Sequence, residues 1–337
     1  MSELIESGHW LPFTFAFLIG VSFLAYAILD GYDLGIGMLL PLASEREKDV
    51  MIAAIGPFWD ANETWIVLGI GILLIAFPEA HGKILTAMYI PVTIMLMGLI
   101  VRGIAFDFRA KAVAHRKQMW NRLFAAGSLI TSLAQGWMLG IYITGLGSSG
   151  VSLLFALLIA LTLPALYILL GAAWLLIKTE GALFDKALAW ARHAILPMGL
   201  ALLLVSIATP LISATIAAKW FTFPESLALA PIPLMTSALY LGLIWLLYEQ
   251  SLLRRPRHEW LLFGGLISIC LLAAIGLAYS ILPDIIIGEM DIRESAASTA
   301  SLQFTFWGTV IVLPAIILYT LFVYRIFGGK ATDLSYD

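Results

Sequence analysis

Nine apolar runs of membrane-spanning length divide this chain and constrain its fold more than any other feature. A helix of about 20 residues crosses the hydrocarbon core of a bilayer, where an open sheet edge would find no hydrogen-bond partner. The chain is 61% hydrophobic and only 12% charged, with a mean hydropathy of +0.96. We therefore predict an all-α polytopic membrane protein, a helical bundle that forms one integral-membrane domain over residues 1–337. The predicted spans lie at about 12–40, 54–77, 84–106, 123–145, 151–177, 194–218, 227–249, 260–283 and 303–327.

The basic residues predict how these spans are oriented. Alternate loops hold sixteen of the 19 Lys and Arg residues, whereas the opposite loops hold only Lys83, Lys219 and Arg293. Because cytoplasmic loops carry the excess of basic residues, the N-terminus is predicted outside and the C-terminus in the cytoplasm. The polar stretch from Lys178 to Arg192 is a candidate interfacial helix, and the outer connection at 284–302 is expected to be a solvated loop.

Four carboxylic acids lie inside the first two apolar runs: Asp30, Asp33, Asp60 and Glu63. Each costs roughly 2.5–3.5 kcal/mol at membrane depth, so the four together cost about 10 kcal/mol or more. Within each pair the acids are three residues apart and share a helix face, and Arg102 is a candidate charge partner. Acids that share protons and open to one aqueous side are typical of a proton entry path. A charge-paired helix anchor at the membrane surface is the alternative.

The predicted orientation places further polar residues at the same depth as these acids. Asp107 and Lys111 follow Arg102 at the cytoplasmic end of span three. Gly31 and Gly35 have a spacing that favours the close approach of another helix. We therefore divide the domain into polar functional helices at about 12–112 and an apolar scaffold at about 123–327.

The remaining composition excludes several kinds of site and partner. The net charge of −3 gives no reason to expect a nucleic-acid partner, and the single Cys270 excludes a cysteine-held iron–sulfur cluster within the chain. No histidine is expected in mid-membrane, where a haem or metal would need a ligand, because all five lie in predicted loops or near span ends. They are His9, His81, His115, His193 and His258.

Three motifs resemble subunit II of the cytochrome bd-type quinol oxidases, and look most like its cyanide-insensitive branch. They are DGYDLG at 30–35, WDANETW at 59–65 and RGIAFDFR at 102–109. The resemblance implies a bacterial inner-membrane complex of the respiratory chain that oxidises quinol and reduces oxygen to water. It also implies a heterodimer in which subunit I holds three haems and the quinol-oxidising loop, while subunit II holds no haem. Whether a small single-helix accessory subunit joins them stays open.

The same resemblance implies roles for individual residues. Asp60, Asp107 and Lys111 match positions of a cytoplasmic proton path that leads toward the interface with subunit I. Trp65 matches a position near a proposed oxygen entrance, and subunit II of some members holds a bound quinone; a bound lipid is equally open. The chain departs from a common version of the family at Glu63, where many members have Gln. It departs from some relatives at Phe58, where they have His.

Two other functions stay open on the sequence alone. A proton-coupled secondary transporter should show broken helices in both halves of the chain and polar groups near the membrane midplane. Here the polar groups lie in one half and at one depth, which counts against that function. A purely structural assembly subunit, whose acids serve only as interface salt bridges, is the second alternative.

Overall fold

A computed structural model describes residues 9–255 and 257–331, and most of that part of the chain is helical. Within it, nine helices are long and apolar enough to cross a membrane. We number these α1 to α9 in chain order, so that they correspond to the nine predicted spans. They are α1 (Leu11–Leu39), α2 (Trp59–Ala76), α3 (Tyr89–Lys111), α4 (Ala114–Ile143), α5 (Gly150–Lys178), α6 (Gly181–Ile212), α7 (Pro231–Glu249), α8 (Trp260–Ile281) and α9 (Thr299–Ile326).

Short elements connect these helices. On the predicted cytoplasmic side, the helix Glu45–Ile55 begins with a capping box. The backbone N–H of Ser44 donates to Oε2 of Glu47 at 2.7 Å, and the Ser44 side chain accepts from the backbone N–H of Glu47. On the predicted outer side, two short antiparallel strands pair Asp284 with Asp291. The full set of short elements is a 3₁₀ turn at Leu40–Leu42, helices at Glu45–Ile55, Pro78–Ala87, Ala214–Phe221 and Glu225–Leu229, and strands at Asp284–Ile286 and Met290–Asp291.

Two span starts differ from the sequence prediction. Helix α2 begins at Trp59, whereas the predicted span begins at about residue 54. Helix α6 is continuous from Gly181, so the residues before Arg192 form its first turns and no separate interfacial helix exists. The physical reason is that Phe184, Leu188 and Ile195 continue the buried apolar stripe of α6 toward its start.

The outer connection after α8 is also not a solvated loop. Its two strands bury Ile286 and Met290 in an apolar cluster with Phe15 of α1, while the backbone N–H of Ala297 donates to the carbonyl oxygen of Ala76, 2.8 Å away. The isoleucines of this segment outweigh its charged residues because the strands turn them inward. The hairpin therefore caps α1 and α2 at their ends on the predicted outer side.

Helix α1 lies at the centre of the bundle and packs against α2, α4, α5, α8 and α9. Its contact with α5 requires glycine, because a Cβ built on Gly35 would lie 1.8 Å from the carbonyl oxygen of Tyr167. A Cβ on Gly31 would lie 2.8 Å from the ring of the same tyrosine. Small residues allow such backbone-to-backbone approach between membrane helices. As a result, the polar side chains of α1 are enclosed by other helices and not by lipid.

Candidate functional site

Arg102 of α3 is the centre of a buried cluster of charged side chains. Its Nη2 atom lies 2.6 Å from Oδ1 of Asp30 on α1 and also contacts Oε1 of Glu63 on α2. The side chains of Arg102 and Asp30 are 1% and 0% exposed, whereas Glu63 is 31% exposed. A buried charge must be paired to be tolerated, so one arginine neutralises acids from two other helices. The predicted charge partner thus contacts one member of each predicted acid pair.

Several polar atoms around Arg102 have no hydrogen-bond partner within the described residues. They are Nε and Nη1 of Arg102, Oδ2 of Asp30 and Oδ1 of Asp33. Buried polar atoms in proteins are nearly always partnered, either by protein groups or by ordered water. The cluster therefore keeps donors and acceptors that ordered water can bridge.

Asp33 contacts a different residue from Asp30, although both carboxylates are fully buried on α1. Its Oδ2 atom accepts a hydrogen bond of 2.8 Å from Nδ2 of Asn62 on α2. The same amide contacts the hydroxyls of Tyr32 on α1 and Tyr324 on α9, each at 2.9 Å. The last membrane helix therefore takes part in the site, and neither Asn62 nor Tyr324 was given a role by sequence reasoning.

A second set of missed residues extends the cluster away from Arg102. Nε2 of Gln135 on α4 donates to the hydroxyl of Tyr26 on α1 at 2.8 Å, and Oε1 of Gln135 accepts from the hydroxyl of Tyr167 on α5 at 2.7 Å. The Tyr26 hydroxyl in turn faces Asp30. The available signal was an amide inside an apolar span, because such residues commonly bond between membrane helices. The later spans thus also contribute polar side chains to the cluster.

Asp60, Asp107 and Lys111 lie apart from the buried cluster. All three are exposed on the chain taken alone: Asp60 lies in the first turn of α2, and Asp107 and Lys111 lie in the last turns of α3. Asp60 and Asp107 are close enough to interact electrostatically, and the rings of the preceding Trp59 and Phe106 lie 5.1 Å apart. The structure thus brings these two carboxylates together on one exposed face.

The neighbouring arginine does not neutralise these exposed acids. Arg109 instead contacts Asp49 at 2.8 Å and Asn121 at 2.5 Å, in the connection that follows α1 and at the start of α4. The charge-paired anchor predicted as an alternative therefore forms with Asp49 and not with Asp107. Trp65 of α2 is 7% exposed, and its indole nitrogen has no hydrogen-bond partner among the described residues.

The described histidines offer no buried ligand for a haem. His9, His115 and His193 are exposed, and His81 and His258 are half-buried. His193 lies within α6 and not near its start, because α6 begins earlier than the sequence predicts. Over residues 9–255 and 257–331, no three His, Cys, Asp or Glu side chains form a metal-binding group.

This chain is similar in sequence to known proteins. The family model described as "Cytochrome bd terminal oxidase subunit II" matches residues 11–327. The chain is 42% identical over 123 residues to "Cytochrome bd ubiquinol oxidase subunit 2" of Bacillus subtilis (strain 168), a match that covers 35% of this chain and 36% of that protein. It is 25% identical to "Cytochrome bd-I ubiquinol oxidase subunit 2" of Escherichia coli (strain K12), over 96% of this chain and 95% of that protein.

A solved structure shows a similar fold. It is "The structure of bd oxidase from Geobacillus thermodenitrificans", one chain of which matches with a TM-score of 0.76 over 94% of this chain and 98% of that chain. The sequence identity is 16%, so this likeness concerns the fold alone.

Proposed function

The chain belongs to the family of cytochrome bd terminal oxidase subunit II, and we propose that it is a haem-free subunit that carries protons from the cytoplasm toward the oxygen-reducing site. It is a multi-pass membrane subunit of a cytochrome bd quinol oxidase, an oxidoreductase complex with a partner subunit I. We further propose that it stabilises this haem-bearing partner in a bacterial inner membrane. The haems of the complex then belong to subunit I, and quinol oxidation and oxygen reduction take place there.

One observation carries the proton-path proposal: Arg102 links a buried and a half-exposed acid within the membrane-spanning helices. Glu63 lies one helical turn from the exposed Asp60 and shares Arg102 with the fully buried Asp30. A proton reaching Asp60 can therefore pass to Glu63, and from there to the buried acids through ordered water. Asp107 extends the exposed part of this route. Lys111 lies at the cytoplasmic end of the same helix.

The exposed acids also support a partner surface. Two carboxylates on membrane helices are costly when they face lipid, and such residues normally face a protein interior, another subunit or water. Asp60 and Asp107 share one face of α2 and α3, so subunit I is expected to cover this face. Asp107 and Asp60 then carry the proton along the contact between the subunits, and Glu63 links this route to the buried acids. Trp65, further along α2, is the proposed oxygen entrance, and a bound quinone or lipid would lie in apolar contact with this chain.

A purely structural role is the second candidate, because the contacts of Arg102 also cross-link α1, α2 and α3. The substitution Asp60→Asn separates the two functions, because Asp60 makes no ion pair with any described residue that its loss would break. We expect the variant complex to assemble with its haems but to show at least tenfold slower proton uptake and quinol-driven oxygen consumption. The control is Glu249→Gln, an exposed acid at the end of α7.

The outcome for Asp60→Asn decides between the candidates. Unchanged proton uptake in an assembled complex would leave the acids with a structural role only. Purification in mild detergent tests the coarser proposal. We expect a haem-bearing subunit to accompany the chain, and a chain that purifies alone, without oxygen consumption on added quinol, would contradict its role in the complex.

A further inference from the structure

Asn62, Tyr32 and Tyr324 form a closed ring of hydrogen bonds beside Asp33. Oδ1 of Asn62 accepts from the Tyr324 hydroxyl at 2.9 Å, and Nδ2 of Asn62 donates to the Tyr32 hydroxyl at 2.9 Å. The two tyrosine hydroxyls are 2.6 Å apart. The ring joins α1, α2 and α9, and its amide lies completely buried in the bundle.

The donors and acceptors of this ring can be assigned by counting hydrogens. A hydroxyl has one hydrogen, and Tyr324 uses its own on Oδ1 of Asn62. Tyr32 must therefore donate to Tyr324. The second N–H of the Asn62 amide is left for Oδ2 of Asp33, 2.8 Å away. The ring thus directs one amide hydrogen at the Asp33 carboxylate.

The opposite orientation of the Asn62 amide is unfavourable. Nδ2 lies 3.2 Å from the carbonyl oxygen of Leu29 as well as near the carboxylate of Asp33. Rotating the amide by half a turn would place Oδ1 against both of these oxygen atoms. The Tyr324 hydroxyl would then face Nδ2, which cannot accept its hydrogen. Because the network determines which end of an amide is nitrogen, the Tyr324 hydroxyl acts together with these two acceptors in orienting the hydrogen bond to Asp33.

The inner end of α9 is held in place by contacts other than the ring. Nζ of Lys178, at the end of α5, donates to the carbonyl oxygens of Phe327 and, at 3.0 Å, Gly329. The N–H of Ala331 donates to the carbonyl oxygen of Lys178 at 2.7 Å. The ring of Tyr324 packs on Phe58 at 4.7 Å between ring centres. These contacts therefore hold Tyr324 in position independently of its hydrogen bond to Asn62.

We propose that Tyr324 is a positioning residue of the proton path: through Asn62 it aims the hydrogen-bond donor that meets the Asp33 carboxylate. The last membrane helix thereby controls how readily Asp33 binds and releases a proton. This inference rests on the proposed function, because it matters only if Asp33 carries protons.

Other charged groups and hydroxyls also affect the protonation of Asp33, and a test of Tyr324 must leave the charged groups unchanged. The charged groups are Asp30 on the same helix, Glu63 on α2 and Arg102 on α3. The hydroxyls of Tyr32 and Tyr324 face it from α1 and α9. Tyr167 on α5 acts on Asp30 instead. A substitution of Tyr324 to Phe changes none of the charged groups.

The test is Tyr324→Phe in the purified complex, with Tyr319→Phe as the matched control. Tyr319 lies on the same helix, and its side chain is exposed. In Tyr324→Phe we expect the pH midpoint of quinol-driven oxygen consumption to rise by about 0.4–1 unit, since one neutral hydrogen bond supports the carboxylate form. Haem content should stay the same. Tyr319→Phe should keep the wild-type profile, and an identical profile for Tyr324→Phe would overturn the proposal.

Two further variants make every outcome decisive. Tyr32→Phe keeps the ring stacked on Trp174, 4.4 Å away, and removes only a hydroxyl. If Tyr324→Phe fails to assemble, a pH midpoint in Tyr32→Phe equal to the wild-type value overturns the inference, and a rise supports it.

Asp33→Asn separates the inference from the proposed function. Loss of proton uptake in Asp33→Asn, together with no effect of Tyr324→Phe, rejects the role of Tyr324 alone. No effect of Asp33→Asn rejects the proton-carrying role of Asp33 itself.

Discussion

Arg102 and Asp30 form a fully buried ion pair within the membrane-spanning helices, with 2.6 Å between Nη2 and Oδ1. The arginine is on α3 and the acid on α1, and Glu63 of α2 shares the same nitrogen. Taking two charges out of water is costly, and the cost is offset only when both partners are present. The pair therefore makes the positions of three helices depend on one side chain.

Arg102→Met should destabilise the complex by about 3–5 kcal/mol, because it leaves Asp30 buried without a partner. The double variant Arg102→Met with Asp30→Asn should recover most of that loss. Thermal unfolding of the purified complex, followed by haem absorbance, measures both effects. Equal instability of the single and double variants would show that the two side chains do not depend on each other.

Glu63→Gln should have a much smaller effect on assembly than Asp30→Asn. Glu63 is 31% exposed and Asp30 is completely buried, so removing the Glu63 charge leaves Arg102 with its buried partner. We expect normal haem content but slower oxygen consumption, because Gln cannot take up the proton that Asp60 passes on. Assembly lost in Glu63→Gln but retained in Asp30→Asn would reverse this ranking of the two acids.

Gly35→Ala should disrupt the crossing of α1 and α5. The added methyl carbon would lie 1.8 Å from the carbonyl oxygen of Tyr167, which is backbone and cannot rotate away. Overpacking of this kind costs about 1–3 kcal/mol or more. Gly20→Ala on the same helix is the control, since a Cβ there meets nothing within 4 Å. Equal yields and thermal midpoints for the two variants would contradict the close approach.

The pH dependence of stability should change in Glu47→Gln. The hydrogen bond from Lys186, together with those from Ser44, lowers the pKa of Glu47 from 4.5 to about 2. A pKa depressed in the folded state gives stability that is present above the ordinary value and is lost as the pH falls through the folded value. The difference in thermal midpoint between wild type and Glu47→Gln should thus be full at pH 6 and shrink between pH 4.5 and 2.

Lys186→Met removes the same contact and should show the same pH window. Gln at position 47 can still complete the capping box, so the comparison isolates the charge. A difference from wild type that stays constant between pH 6 and 3 would mean that ionisation of Glu47 contributes nothing.

The sequence predicted which charged residues lie within the spans better than which residues they contact. The acids of α1 and α2 and the arginine of α3 were identifiable, because each interrupts an apolar run. Their pairing was not, since Asp30 and Asp33 are three residues apart yet contact different helices. Tyr324 lies 262 residues from Asn62, and an isolated tyrosine near the end of a span has no distinctive pattern. The observed helix ends differ from the predicted span ends where an apolar stripe continues past polar residues, as it does at the start of α6.

The sequence by itself determined the nine membrane helices found in the described part of the chain, because the hydrocarbon thickness sets their length and lipid admits no unpaired backbone. It also determined that the first three spans contain costly acids. Only the tertiary structure decided that Arg102 joins Asp30 to Glu63, that Asp60 and Asp107 remain on an exposed face, and that the last helix reaches Asp33 through Asn62. The physical reason is that hydrogen bonds and ion pairs act over a few ångströms, and packing of distant helices alone brings these side chains within that range.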